Sequence, residues 1–131
     1  MIDMKLHIEG IDDAVKELQS RGANILAITE KPIGRGAFRV EAALKRYPSP
    51  PQNSRYRRTG TLGRRWTTRP YRQPGLVGRE VGNNTWYGPF VQSKQMQSHV
   101  HRGRWMTDEQ ALEQQASNII DDVRNALRAA L

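Results

Sequence analysis

Two histidines lie close enough together to suggest catalysis or metal binding, but their surroundings argue against both. His99 and His101 are two residues apart, beside Arg102 and Arg104. A nucleophile needs a base and an orienting acid, and acids are almost absent from this stretch. A cation held by the two imidazoles would be repelled by the neighbouring guanidinium groups. We therefore expect solvated loop histidines, with no catalytic triad and no metal site.

Two other short motifs have the residue types of known sites without the required spacing. Gly34-Arg35-Gly36 lacks the third glycine and the preceding strand of a dinucleotide loop, and it is not followed by the Gly-Lys-Ser/Thr of a P-loop. Asp121 and Asp122 are adjacent on a predicted helix, so their carboxylates point apart. We accordingly expect that the protein is not an enzyme and that it takes no cofactor.

Arginines interleaved with aromatic residues form the strongest candidate binding surface. Guanidinium groups can grip phosphates or carboxylates with two hydrogen bonds, and aromatic rings can stack on bases. No helix-turn-helix, RNA-recognition or zinc signature accompanies them, so base-specific reading is not expected. The predicted basic surface consists of Arg55, Arg57, Arg58, Arg64, Arg65, Arg69 and Arg72.

The charge distribution is more informative than the net charge of +8. Residues 42–107 hold 13 basic groups and one acid, Glu80, for a net +12, whereas the rest of the chain carries −4. Such asymmetry indicates a surface that meets a polyanion or an acidic protein face. A solvated arginine-rich loop region is the alternative.

Length and composition predict a single domain over residues 1–131. A chain of 131 residues is too short for two cores, and a mean hydropathy of −0.76 is low for a self-sufficient monomer. Self-association is therefore expected. The chain has no cysteine, no apolar run long enough to span a membrane and no leader-like beginning, which predicts a soluble cytoplasmic protein that does not contact membranes.

Apolar spacing in the first third of the chain predicts one strand and helices. Alternation predicts a strand over residues 4–8, and helical spacing predicts a helix over residues 11–21 that ends at Gly22. A second helical pattern covers residues 23–47, and Pro32 predicts a break within it.

The remaining pattern completes an α+β fold, in which a small antiparallel β-sheet packs with N-terminal helices and a long C-terminal amphipathic helix. Proline-rich and polar segments predict exposed loops at about 48–58 and 93–105. Strands are predicted at 66–72 and 75–83, with turns at 74–75 and 82–84.

The C-terminal helix carries the clearest signal in the sequence. Thr107 and Gln110 have the spacing of a capping box. An apolar stripe runs for about six turns, and we expect it to be packed into the core in preference to a coiled coil. Its members are Leu112, Ala116, Ile119, Ile120, Val123, Leu127 and Ala130.

Two short motifs carry a resemblance to a known family. The sequence reads YRRTGTLGRRW at residues 56–66 and WYGPFVQ at residues 86–92. Together with the order of elements, these resemble the neck or tail-completion proteins (minor tail components) of the head–tail junction in long-tailed bacteriophages. In that family a Thr-Gly-x-Leu element precedes a hairpin and a Tyr-Ala-x-Tyr/Phe element follows it. This chain departs from the pattern at Arg65, at Gly88 and at Ser93-Lys94, which replaces the glycine-containing end of the second element.

The resemblance implies a structural assembly protein of a virion, assembled in the host cytoplasm. Such a subunit would form a homo-oligomeric ring between the connector and the tail tube and would contact other connector and tail proteins. Genomic DNA would pass through the channel of this ring. The arginines would then face either DNA or acidic protein, and we favour protein. The alternative function is a small basic nucleic-acid-binding accessory protein. The expected core or interface anchors are Leu62, Trp66, Trp86, Tyr87 and Phe90.

Overall fold

The structure is a computed structural model that describes residues 11–53, 58–74 and 76–131, and for Arg72 and Leu76 it describes the backbone only. The strand predicted at residues 4–8 lies outside these ranges. Within them the elements, in chain order, are α1 (Asp12–Ser20), α2 (Ile25–Leu44), α3 (Thr61–Arg64), β1 (Trp66–Gln73), β2 (Leu76–Asn83), α4 (Gly88–Gln92) and α5 (Asp108–Ala129).

Helix α1 forms where the sequence predicts it. Asp12 and Asp13 occupy its first turn, where negative charge is favourable at the positive end of the helix dipole. Gly22 follows the helix with a φ of +77°, a left-handed conformation that glycine adopts without strain. Leu18 is buried against α5 and the start of α2, which attaches this short helix to the rest of the fold.

Helix α2 runs without interruption through Pro32, so the predicted break is wrong. A proline inside a helix removes one hydrogen bond and costs about 3 kcal/mol. Here Pro32 is itself fully buried, and the helix buries side chains on both sides of it. Ile28 precedes it in one apolar cluster and Val40 follows it in another. Because α2 is buried on both sides of Pro32, the helix stays continuous despite the missing hydrogen bond.

The two glycines of the Gly34-Arg35-Gly36 motif have packing roles within α2. A Cβ at Gly36 would lie 2.6 Å from Cγ1 of Ile119 on α5, so only glycine permits this approach of the two helices. At Gly34 the approach is looser, since a Cβ there would lie 3.3 Å from Nη2 of Arg79 on β2. Glycine inside a helix costs about 1 kcal/mol relative to alanine, and close packing offsets that cost.

Helix α5 confirms the predicted capping box. The Thr107 hydroxyl accepts from the Gln110 amide at 3.2 Å, and the Gln110 side chain accepts from the Thr107 amide at 3.0 Å. The buried face differs slightly from the predicted stripe, because Ala111 is fully buried while Ala130 is exposed. Its buried members are Ala111, Ile119, Val123 and Leu127, which pack against α1 and α2.

The hairpin pairs β1 with β2 in antiparallel register, as predicted. Trp66 pairs with Asn83 and Gln73 with Leu76, so β2 continues through residues 82–83 and the turn predicted at 82–84 begins later. The residues of β1 alternate between faces. Trp66 is buried, and Thr68 donates to Glu41 on α2, which identifies the face that packs on α2.

The α+β class is confirmed. Helix α2 lies between the hairpin and α5, and its side chains join those of both neighbours in one apolar cluster. The members of this cluster are Ala37, Val40, Ala43, Leu44, Trp66, Val81, Ala111 and Ile119.

The close contact between α2 and α5 generates a stability prediction. Ile119→Ala should lower the free energy of unfolding by about 2–5 kcal/mol, because a buried side chain leaves a cavity. Gly36→Ala should lower it by about 1–3 kcal/mol through overpacking. The double variant should be more stable than the sum of these losses predicts. The methyl group added at position 36 fills part of the cavity left at position 119, and the smaller side chain at 119 removes the overpacking. Urea unfolding followed by circular dichroism measures all three, and strict additivity would contradict the contact.

Candidate protein-interaction surface

The two motifs that carry the family resemblance meet at the open end of the hairpin. The Asn83 side chain donates to the Leu62 carbonyl at 2.8 Å, and the Asn84 amide donates to the Arg65 carbonyl at 3.1 Å. The Thr85 hydroxyl donates to the side-chain oxygen of Asn83 at 2.7 Å. These bonds join residues 59–66 to residues 84–92, which are distant in sequence. The hairpin therefore positions both motifs together.

A group of aromatic and basic side chains, here called the Trp105 clamp, fixes the first motif. The clamp consists of Tyr47, Arg58, Trp66, His101 and Trp105. The Trp66 indole N–H donates to the Tyr47 hydroxyl at 2.7 Å, and the Tyr47 and Trp105 rings are 5.1 Å apart. The Arg58 guanidinium lies 5.0 Å from the Trp105 ring centroid, within cation–π range. The clamp thus joins the end of α2, the first motif and the loop before α5.

Two titratable members of the clamp have altered proton affinities. Burial raises the pKa of the Tyr47 phenol above its ordinary value of 10.0, although the indole N–H of Trp66 and the charge of Lys45 oppose the shift. Burial, and then the charge of Arg104, lower the pKa of His101 below 6.5. Neutral side chains are therefore favoured at both positions near neutral pH.

Two buried glutamines fix the loop before α5. The Gln92 side-chain amide donates to the carbonyls of Leu44 and Met106, at 2.8 and 3.2 Å. That of Gln97 donates to the carbonyls of Val91 and Trp105, at 2.7 and 3.0 Å. Residues 93–107 form no helix or strand, and these bonds attach them to the core.

Large apolar side chains on this fixed segment face solvent. Trp86 is 81 % exposed and Phe90 45 % exposed, and Met96 and Val100 on the following loop are also exposed. The Ser98 amide donates to the Phe90 carbonyl at 2.7 Å and holds the loop against α4. Tyr87 is half-buried and packs edge-on to Trp86, with ring centroids 5.6 Å apart. We call Trp86, Phe90, Met96 and Val100 the 86–100 surface.

The predicted anchors divide into two groups. Leu62 and Trp66 are buried within the chain and hold the first motif in place. Trp86 and Phe90 are exposed, and Tyr87 is half-buried. The first pair therefore stabilises the fold, whereas the aromatic residues of the second motif are available to a partner.

The structure separates the predicted arginines by their contacts. Arg55 and Arg57 lie outside the described residues, as does the side chain of Arg72. Arg58 is held by the Trp105 clamp, Arg64 donates to the Thr59 carbonyl at 3.2 Å, and Arg69 pairs with Glu80 across the hairpin at 3.3 Å. Arg65 is exposed beside the second motif. The described arginines therefore do not form one continuous row of guanidinium groups that lack contacts within the chain.

Several important side chains were not identified from the sequence. Tyr47 and Trp105 stand at the margins of predicted elements, and no spacing rule connects them across more than fifty residues. The expectation that His101 is a solvated loop histidine is wrong, because its ring is half-buried against Trp105. Gln92 and Gln97 look like surface residues by type, yet both are buried. Their contacts depend on how the chain folds back on itself.

The described residues include a shallow groove and no cluster of metal ligands. Among them, no three His, Asp or Glu side chains are grouped as a metal site requires. None of the helices in those ranges combines the length and apolar character needed to cross a membrane. A shallow open groove of about 420 Å³ lies beside the start of α5, lined by Gly103, Arg104, Trp105, Met106, Gln110 and Gln114.

Comparisons with protein families, with curated proteins and with solved structures find no match to this chain.

The hydrogen bond at the centre of the clamp generates a second prediction. Tyr47→Phe should lower the free energy of unfolding by about 1–3 kcal/mol, because it leaves the buried Trp66 indole N–H without an acceptor. Tyr87→Phe is the matched control and should change it little. Urea unfolding at pH 7 measures both variants. If Tyr47→Phe and Tyr87→Phe lower the free energy of unfolding equally, the Trp66–Tyr47 hydrogen bond contributes nothing to stability.

The raised pKa of Tyr47 adds a pH dependence to this comparison. Above pH 10.0 the unfolded chain loses the phenolic proton before the folded chain does, so the contribution of Tyr47 to stability falls as pH rises. The difference in stability between the native protein and Tyr47→Phe should accordingly narrow from pH 9 to about pH 11.

Proposed function

We propose that this protein is a structural assembly subunit of a tailed bacteriophage, part of the head–tail connector or neck or a component that completes the tail. It acts as a ring-shaped homo-oligomer, has no catalytic activity, and becomes part of the virion after assembly in the host cytoplasm. Its partners are further copies of itself and other connector and tail proteins.

The observation that carries this proposal is the exposure of Trp86 on a fixed segment. Tryptophan is enriched among residues that dominate binding energy at protein interfaces, and large apolar side chains grouped on a surface mark interaction sites. The backbone bonds at Asn84 and Ser98 hold residues 84–98 against the fold. A surface fixed before binding loses little entropy when a partner docks.

The two sequence motifs support the same conclusion from a separate direction. Residues 59–66 and 86–92 provide the resemblance to neck and tail-completion proteins, and they are hydrogen-bonded neighbours through Asn83 and Asn84. The resemblance therefore maps to one place on the surface, where Trp86 and Phe90 are exposed. We infer that this place contacts the adjoining protein at the junction.

The state of the arginines favours protein docking over DNA binding. Phosphate binding requires guanidinium groups that are free to approach the backbone of the duplex. Arg58, Arg64 and Arg69 are each oriented by a contact within the chain, with an aromatic ring, a carbonyl and a carboxylate, and the carboxylate also neutralises the charge of Arg69. The small nucleic-acid-binding accessory protein remains the second candidate, and DNA binding distinguishes the two.

A genetic experiment tests the proposed function. In a phage that carries this gene, deletion should leave filled heads and tails that do not join, and Trp86→Ala should reproduce that defect. Leu26→Ala changes an exposed apolar residue on α2 and is the control: supplied to the deletion phage, it should give normal particles. Electron microscopy of lysates gives the result. Normal virions assembled with folded Trp86→Ala protein would exclude this surface as the docking site.

DNA binding provides the test of the second candidate. If protein docking is correct, purified protein should bind duplex DNA weakly, and Arg65→Glu should leave that affinity nearly unchanged. A channel-lining or accessory DNA-binding role predicts instead a log–log salt slope of about −0.9 per phosphate contacted, without dependence on base sequence. Fluorescence anisotropy over a range of salt concentrations measures the slope. A steep slope that Arg65→Glu flattens would favour the nucleic-acid reading.

A further inference from the structure

His101 has a buried ring nitrogen that makes no hydrogen bond within the described residues. The imidazole lies edge-on to Trp105, with ring centroids 5.9 Å apart and planes inclined at 78°. Its Nδ1 atom is buried and has no hydrogen-bond partner. The neutral ring is compatible with this position, because it can carry its single proton on Nε2 and leave Nδ1 as a lone pair. The imidazolium is not, since a proton on Nδ1 would be a buried donor without an acceptor.

The charges around this ring also oppose protonation. Burial, and then the charge of Arg104 in the same loop, lower the pKa of His101. The adjacent Arg102 is a further cation, although its side chain is exposed. The Arg58 guanidinium already lies 5.0 Å from the ring centroid of Trp105. A protonated His101 would therefore place a second cation against the same indole ring, where the two would repel each other.

The neighbouring elements supply no carboxylate to compensate this charge. Helix α4 has no ionisable side chain. The acids in the first turn of α5 are both engaged with Lys94, because Asp108 accepts from its backbone amide at 2.8 Å and Glu109 lies 3.9 Å from its ammonium group. The Tyr47 phenol, just beyond α2, is kept neutral by burial, which raises its pKa. Within the described chain, the charge that alters the pKa of His101 is thus positive.

The backbone connects His101 to the loop that carries part of the 86–100 surface. The His101 amide donates to the Ser98 carbonyl at 2.9 Å, and the Trp105 amide donates to the His101 carbonyl at 3.0 Å. The Ser98 amide donates in turn to the Phe90 carbonyl at 2.7 Å. Residues 98–105 are therefore one hydrogen-bonded segment, which the contact between the two rings holds against the Trp105 clamp.

We propose that His101 is a pH-sensitive switch for the Trp105 clamp. The neutral imidazole packs against Trp105 and keeps residues 98–105 closed, whereas the protonated imidazole moves into solvent and opens them. Acid thereby loosens the part of the 86–100 surface that Val100 forms. The inference goes beyond the proposed function, since it concerns a change within the single chain and holds or fails whatever that surface binds.

The direction of the pH dependence follows from the lowered pKa. The open chain binds a proton at His101 near the ordinary value of 6.5, whereas the closed chain binds it only at lower pH. The closed clamp therefore has its full stability above pH 6.5 and loses it as the pH falls through the lower value.

Nuclear magnetic resonance of the full chain tests the switch. The imidazole signals should give His101 a pKa below that of the exposed His99. From about pH 7.5 to about pH 5, the indole N–H signals of Trp66 and Trp105 in the clamp should shift or broaden, while that of the exposed Trp86 should change little. His101→Phe retains an aromatic edge but cannot be protonated, so it should abolish these changes. His99→Gln is the control that should preserve them.

Urea unfolding over the same pH range gives a second measurement. For each unit by which its pKa lies below 6.5, His101 should raise the unfolding equilibrium constant in acid by up to about 10-fold, relative to His101→Phe. Native protein and His99→Gln should behave alike. Circular dichroism verifies folding, and His101→Gln replaces His101→Phe if the latter does not fold. Equal pKa values for His99 and His101, or the same indole changes without His101, would overturn the switch and leave the proposed function intact.

Discussion

Helix α2 must bury two different faces, because it packs against α1 and α5 on one side and against the hairpin on the other. This requirement explains features of the helix that would be unfavourable in isolation. Gly36 lowers helix propensity but admits Ile119, and Pro32 removes a hydrogen bond but fills the interior. Tertiary packing outweighs local preference when burial extends along the whole helix. Leu44 at the end of α2 then provides its carbonyl, and Tyr47 just beyond the helix provides its ring, and both support the 86–100 surface.

The interaction surface depends on polar contacts more than on apolar ones. Gln92 connects the end of α2 with the start of α5, and Asn83 connects the two motifs across the hairpin. The side chains of both residues satisfy backbone groups that a loop would otherwise leave without partners. Because these bonds hold the segment from the inside, its apolar residues are free to face outward. A segment fixed in this way suits the assembly role that we propose.

Charge in this protein has two distinct uses. Within the chain, arginines support structure, since Arg58 stacks on Trp105 and Arg69 pairs with Glu80. Beside His101, by contrast, the positive charge of Arg104 disfavours protonation of the imidazole. Net charge describes neither use, because each depends on which groups lie next to one another. The position of each arginine therefore matters more than the total of 21 basic residues.

Local pattern alone determined α1, α5, the hairpin and the capping box of α5. Apolar spacing located α1 and α5, the Thr107–Gln110 spacing located the capping box, and strand composition located the hairpin, since each signal acts between residues close in sequence. Only the tertiary structure decided the rest. Pro32 continues a helix because burial compensates for its lost bond, the Trp105 clamp joins residues more than fifty positions apart, and the exposure of Trp86 depends on what the fold leaves uncovered. Long-range packing has no signature in local spacing, so the sequence predicts the elements but not the surface that they create.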